Sequence, residues 1–178
     1  MLEELIKKAK KGDNKAFEKL ILYYHLDLFR IARTRLNQID DICDAVQETI
    51  LYAYKSIHKL KNISKFKTWL IKILINKCND IYIIHKKNNA ISYETIDIEK
   101  SIYQCAELNS NLEFDNLLNV LNNDEKTIII LYYAEGYNTN EISKILKLNT
   151  NTVRSKLLRA KKKLEKDLKE VYKNEWYW

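Results

Sequence analysis

The chain has 178 residues, a formal net charge of +7, no Pro and only two Gly, Gly12 and Gly136. Hairpin sheets lean on Gly, Pro and Asn-Gly turns, so this composition excludes an extensive sheet and predicts an all-α fold. Cys43, Cys78 and Cys105 are widely spaced with no C-x-x-C, and His25, His58 and His85 are equally scattered, so neither a disulfide framework nor structural zinc is expected, and no cofactor.

The first segment, MLEELIKKAKKGD, is amphipathic and charged, without the apolar centre of a signal peptide. No stretch approaches the length of a membrane span, so a soluble, cytoplasmic protein is expected. Gly12 follows LIKKAKK, where a left-handed residue would close a helix.

Asp40–Ile57 is predicted helical, with Ile42, Val46, Ile50, Ala53 and Ile57 on one packing stripe. Asp41, Asp44 and Glu48 fall on another face with Gln47 beside them. Carboxylates at this spacing repel, so a cationic partner is expected to meet them. Taken alone, the strip reads as a solvated acidic face.

The following loop carries Lys59, Lys61, Lys65 and Lys67 around a polar centre of Asn62 and Ser64. Lysines can track a displaced phosphate backbone, while Asn or Ser can hydrogen-bond an unstacked base. The helix entered through FKTWLIKILINKCND places Lys72 and Asn76 for polar contact with DNA. Trp69 has two readings: a stacking wedge at a melted junction, or a structural residue packed with Leu70, Ile73 and Leu74.

Residues 88–113 carry one cation against five acids and no sustained helical stripe, whereas 1–87 carry 18 Lys/Arg against 10 Asp/Glu and 114–178 carry 12 against 9. Two basic helical domains joined by a flexible acidic linker are therefore expected, and a polyanionic partner touched twice.

In the C-terminal domain, DEKTIIILYYA (124–134) opens with acids, which favour a helix N-terminus, and Gly136 closes it. Asn138 is placed to cap the next helix, with Glu141 reaching back to complete a capping box. That helix, ending near Leu146, is expected to bury Ile142, Ile145 and Leu146 and to expose Glu141 and Lys144. Leu148 fills the turn, and Asn149 or Thr150 caps the final helix.

Between Ile142 and Leu164 there is no acid, against Lys144, Lys147, Arg154, Lys156, Arg159, Lys161, Lys162 and Lys163. Val153, Leu157, Ala160, Leu164 and Leu168 share one face of the last helix. Asn151, Ser155, Leu158, Arg159 and Lys162 lie opposite, with Thr152, Arg154 and Lys156 on the flanks. The pattern is a helix-turn-helix whose second helix reads base edges with its N-terminal residues and grips phosphates with the rest. Ser155 and Arg159 are the base-edge candidates, and Lys161, Lys162 and Lys163 the phosphate clamps. The closing Asn174-Glu175-Trp176-Tyr177-Trp178 is strongly aromatic, suited either to docking on the last helix or to capture by a regulator.

The stretch LYYAEGYNTNEISKILKLNTNTVRSKLLRAKKKL resembles the C-terminal domain of bacterial sigma factors, particularly the extracytoplasmic-function (ECF) group of the sigma-70 family. DAVQET resembles the segment with which those factors grip the β′ clamp helices of RNA polymerase, with Asp44, Gln47 and Glu48 matching position by position. FKTWLIKILINKCND resembles the family's next signature, with Phe66, Thr68, Trp69, Leu70, Asn76 and Asp80 in place. The resemblance implies an N-terminal domain (1–87) that binds core polymerase and the −10 element, a linker (88–113), and a C-terminal domain (114–178) that binds the −35 element. It also implies contact with the β flap, and an anti-sigma partner is common in the family. In that family the Lys59–Lys67 loop holds a flipped base, and the linker threads the RNA-exit path.

Two departures stand out. Lys147 occupies a turn position where the family often has Gly, and Ile83 stands where it usually has Arg. The implied function is an alternative sigma factor directing promoter recognition, DNA melting and transcription initiation. The alternative is a stand-alone helix-turn-helix regulator binding duplex DNA as a dimer. A nucleic-acid enzyme is set aside, since the sequence has no H-E-x-x-H, Gly-rich phosphate loop or His/Cys/Asp cluster.

Overall fold

The computed structural model describes the backbone of residues 1–88 and 117–175 and the side chains of 1–85 and 117–169. The expected acidic linker, apart from Asn88, and the closing Trp176, Tyr177 and Trp178 lie outside the described residues. Every regular element among the described residues is helical, as the composition predicts. The chain divides into two compact units, Met1–Cys105 and Ala106–Trp178.

The first unit is built from α1 (Leu2–Lys10), α2 (Asn14–Arg33), α3 (Ile39–Ser56) and α4 (Phe66–Asn88). Gly12 adopts φ 94°, which lets the chain leave α1 and turn at once into α2. The Asp13 carboxylate accepts the Ala16 N–H at 3.0 Å and starts that helix. Leu20, Leu28, Ile31, Phe66, Leu70, Ile71 and Leu74 are sealed from solvent in the core. Burying each such side chain contributes about 1.5–3 kcal/mol.

From the predicted stripe of α3, Ile42, Val46 and Ala53 are buried with Ile57, which opens a 3-10 turn, while Ile50 is half-buried. Cys78 lies in the same interior. Burial pushes its thiol up to about 12, so it stays protonated and packs as a small apolar group.

The α3–α4 connection consists of 3-10 turns at Ile57–Lys59 and Ile63–Lys65. Its backbone is fixed at two points. Lys10 Nζ donates to the Leu60 carbonyl at 2.6 Å, and the Asn62 side-chain oxygen accepts the Ser64 N–H at 3.0 Å.

The second unit contains α5 (Asn123–Ile129), a wider π turn (Ile130–Ala134), α6 (Thr139–Leu146) and α7 (Thr150–Glu175). Asn122 and Glu125 form a capping box at the start of α5. The predicted helix over 124–134 is thus α-helical only to Ile129. In the turn that follows, Glu135 N–H reaches back five residues to the Ile130 carbonyl at 3.1 Å. Gly136, at φ 72°, then ends it.

Asn138 and Glu141 form the predicted capping box of α6. Ile142, Ile145, Val153, Leu157 and Ala160 are buried as expected, but Leu146 and Glu141 are half-buried. Asn149 caps α7 by accepting the Asn151 N–H at 2.8 Å. The Thr150 hydroxyl meets that of Ser143 at 3.2 Å and ties α7 to α6.

The turn between α6 and α7 passes through Lys147 at φ 55°, ψ 38°. Among the described residues it is the one non-glycine with positive φ. A side chain there costs about 1 kcal/mol, because Cβ crowds the following carbonyl. Lys147→Gly is therefore expected to stabilise the full chain by about 0.5–1 kcal/mol, the gain being trimmed by the added freedom of the unfolded chain. The check is the midpoint of chemical denaturation, which should rise at unchanged slope.

Candidate nucleic-acid and partner interfaces

On α7, the buried Val153, Leu157 and Ala160 turn Asn151, Arg154, Ser155, Leu158, Arg159 and Lys162 outward, all exposed. Thr152 and Lys156 are half-buried on the flanks. Arg159 lies back along the helix, as helical side chains do. Its Nε donates to the Ser155 carbonyl at 3.3 Å and a terminal N–H to the Ser155 hydroxyl at 3.5 Å. The Ser155 hydroxyl itself donates to the Thr152 carbonyl at 3.0 Å. These bonds are long and solvent-exposed, so they orient the guanidinium yet exchange readily for a base edge.

Lys156, Lys161 and Lys163 of the basic run are engaged with α5 and its π turn. Lys156 Nζ pairs with Asp124 at 2.7 Å and Lys163 Nζ with Glu125 at 2.7 Å. Lys161 Nζ sits 5.1 Å from the Tyr132 ring centre and 5.3 Å from that of Tyr133, within cation–π range. The expected flanking contact of Lys156 and the expected phosphate clamps Lys161 and Lys163 thus serve first to seat α7 on α5 and its π turn. Sequence periodicity could not reveal this, since the acids paired with Lys156 and Lys163 lie 32 and 38 residues away in the chain.

Glu125 is the keystone of that seat. It is buried, and one of its oxygens accepts both Lys163 Nζ and the Asn122 N–H, the latter at 3.1 Å. Burial pushes its pKa up, but the Lys163 hydrogen bond, the Asn122 N–H and the charges of Lys163 and Lys156 outweigh it, so the net shift is downward. A folded-state value below the unfolded one stabilises at neutral pH, and that stability is lost as pH falls through the folded value. Glu125→Gln is expected to flatten the acid-side loss of stability, which urea titrations of both proteins between pH 7 and pH 3 would reveal.

In the first unit, Lys59, Lys61, Asn62, Ser64 and Lys65 are exposed on the α3–α4 connection, over the backbone that Lys10 and Asn62 hold in place. The Asn62 oxygen is used as a cap, which leaves its amide N–H2 as a donor on this exposed surface. Lys67 is half-buried, paired with Asp27 at 2.9 Å and lying 5.8 Å from the Tyr24 ring centre. Trp69, Lys72 and Asn76, at i, i+3 and i+7, share the face of α4 opposite the buried Leu70 and Leu74. Trp69 is half-buried and tilted against Phe66 at 5.8 Å, so its ring is supported from beneath.

The acidic strip of α3 does meet partners from α4, a lysine at Glu48 and a histidine at Asp41. Asp41 Oδ1 lies 3.0 Å from His85 Nε2, and Glu48 Oε2 2.7 Å from Lys77 Nζ. The two pairs run in antiparallel register along the helices. Asp44 and Gln47, between them, are exposed. Neither Lys77 nor His85 was singled out by sequence reasoning. Beyond them, Tyr82, Ile83 and Ile84 are about half exposed, so the family's usual arginine position carries an exposed isoleucine. No described helix is long and apolar enough to cross a membrane.

A capped helix-turn-helix with an outward basic face is the architecture of a sequence-reading DNA-binding domain. The family description "Sigma-70 region 2" matches residues 20–86, and "Sigma-70, region 4" matches residues 111–164. The chain is 30% identical to the ECF RNA polymerase sigma-E factor of Haemophilus influenzae, over 95% of this chain and 96% of that one. It is 34% identical to the RNA polymerase sigma factor SigV of Bacillus subtilis, over 76% and 81% respectively. Its fold is similar to that of the sigma factor RpoE in complex with the anti-sigma factor NepR from Bartonella quintana, with TM-score 0.65 and 25% identity over 87% of this chain and 98% of that one. The chain belongs to the ECF RNA polymerase sigma factors, and it acts as an alternative sigma factor directing transcription initiation.

Proposed function

We propose that the two units divide initiation between them. Residues 1–87 take core polymerase and the −10 element, and residues 114–178 take the −35 element, joined by the 88–113 linker. In the first unit Asp44, Gln47 and Glu48, flanked by Asp41, dock on the β′ clamp helices. Lys59, Lys61, Asn62, Ser64 and Lys65 follow the opened strand, with Trp69, Lys72 and Asn76 continuing the surface along α4 and Lys67 bracing its start. In the second unit Ser155 and Arg159 read base edges. Asn151, Thr152, Arg154 and Lys162 hold phosphates, and Lys156 anchors the helix. The β flap is a further contact of the polymerase.

The observation that carries this reading is the outward face of α7. Its apolar stripe is buried, its tip is capped, and its Arg159 guanidinium, a bidentate donor, rests on exposed, exchangeable bonds. The protein's contribution is positional: binding energy selects where polymerase melts DNA, in the cytoplasm. An anti-sigma partner would hold the protein inactive; the Bartonella relative is solved in complex with an anti-sigma factor.

Run-off transcription with purified core and genomic promoter fragments tests the reading. Discrete start sites should appear only when the protein is added. Tight binding to duplex sites without polymerase, and no stimulation of core, would overturn it.

A further inference from the structure

The polymerase-docking strip is not left bare in the free protein: α4 brings the Lys77 ammonium to one end of it and the His85 imidazole to the other. Lys77 reaches Glu48 at 2.7 Å and His85 reaches Asp41 at 3.0 Å. The Lys77 side chain is 27% exposed while that of Glu48 is 57% exposed, so the pair lies at the surface with the carboxylate still open to a second cation. The hydrogen bond to Glu48 holds the Lys77 ammonium above the usual lysine range, against a smaller opposing effect of burial. Lys77 projects from the flank of α4 that faces α3, about a quarter turn from the Trp69–Lys72–Asn76 surface.

We propose that Lys77 is a built-in competitor for Glu48: it occupies the carboxylate in the free factor, and a polymerase cation displaces or shares it on docking. This rests on the assignment of Glu48 to core binding. Two cations on one exposed carboxylate repel, so part of the attraction between Glu48 and polymerase is offset by losing the internal pair. Lys77 thereby lowers the affinity of the factor for core. It also holds the Glu48 side chain in one orientation, so that α3 presents Asp44 and Gln47 as the exposed centre of the strip.

The sign of the effect distinguishes this role from simple structural support. Core affinity would be measured by fluorescence titration for the parent chain, Lys77→Met, Lys77→Arg, Glu48→Gln and the Lys77→Met/Glu48→Gln double variant. Far-ultraviolet circular dichroism would confirm that each is folded. Lys77→Met keeps the aliphatic stem and removes the charge. It is expected to bind core about two- to fivefold more tightly, the range set by exposed ion pairs, and with a steeper dependence on salt. Lys77→Arg should behave as the parent, and Lys77→Met should have no effect once Glu48 is Gln. If Glu48→Gln weakens binding while Lys77→Met leaves it unchanged or weakens it, the competitor role is overturned and the docking assignment stands. If Glu48→Gln has no effect, the docking assignment fails, and the competitor role with it.

Discussion

Arg159→Ala is expected to lower promoter-directed transcription by about 5- to 150-fold while leaving core binding unchanged. The range corresponds to the roughly 1–3 kcal/mol by which a bidentate arginine discriminates its base pair. The separation of effects follows from geometry. Arg159 lies on the exposed face of α7, opposite the buried Leu157 and Ala160 stripe, so its removal disturbs no core contact. Its two bonds to Ser155, at 3.3 and 3.5 Å, are long and solvent-exposed, and losing them costs the fold little.

Lys162→Ala provides the contrast. A phosphate contact carries no sequence information, so its loss should weaken binding equally at all sites and reduce the salt slope by about one. The measurements are run-off transcription on matched and scrambled −35 duplexes, beside a core-binding titration. A parent-like transcript yield from Arg159→Ala would remove this residue from promoter reading.

The internal partners of the basic-run lysines are where sequence and structure part. Caps, glycine positions and apolar stripes are local: Asn138 with Glu141, Gly12, Gly136 and the Val153–Leu157–Ala160 face each follow from spacing along one or two helical turns. The left-handed turn at Lys147 was legible from the resemblance, because a family glycine marks the required φ. Which cation meets which acid depends instead on how helices distant in sequence are laid together. Lys156 and Lys163 look identical to Lys162 in a charge pattern, yet two of the three close on Asp124 and Glu125. The acidic strip of α3 was legible as a strip needing a counter-charge. That α4 provides it through Lys77, with His85 hydrogen-bonded at the other end, was not, because both sit in a stretch whose apolar spacing speaks only of the core. The π turn after Ile129 escaped for the same reason, since its shift in hydrogen bonding leaves the apolar pattern of TIIILYY unchanged.

That internal pairing identifies Asp44 as the most informative position on the strip. Glu48→Lys would set two cations side by side and loosen the α3–α4 clasp, mixing a stability effect with a docking effect. Asp44 is exposed, and neither of the two clasp pairs uses it. Asp44→Lys should therefore leave thermal unfolding within about 0.5 kcal/mol of the parent.

Its effect on docking should be large. On the proposed docking, a carboxylate facing a cation of the clamp becomes a cation facing a cation, so attraction is lost and repulsion added. Close interfacial charge pairs couple by about 1.5–7 kcal/mol, and a loss of about 2–3 kcal/mol at this exposed position corresponds to roughly 30- to 150-fold weaker binding. The loss should shrink as salt is raised, because the interaction is only partly shielded from solvent. Titration of labelled core polymerase at two ionic strengths reads both quantities, with duplex −35 binding as the control that the second unit is undisturbed. Affinity within threefold of the parent at low salt would mean that polymerase docks elsewhere on the first unit.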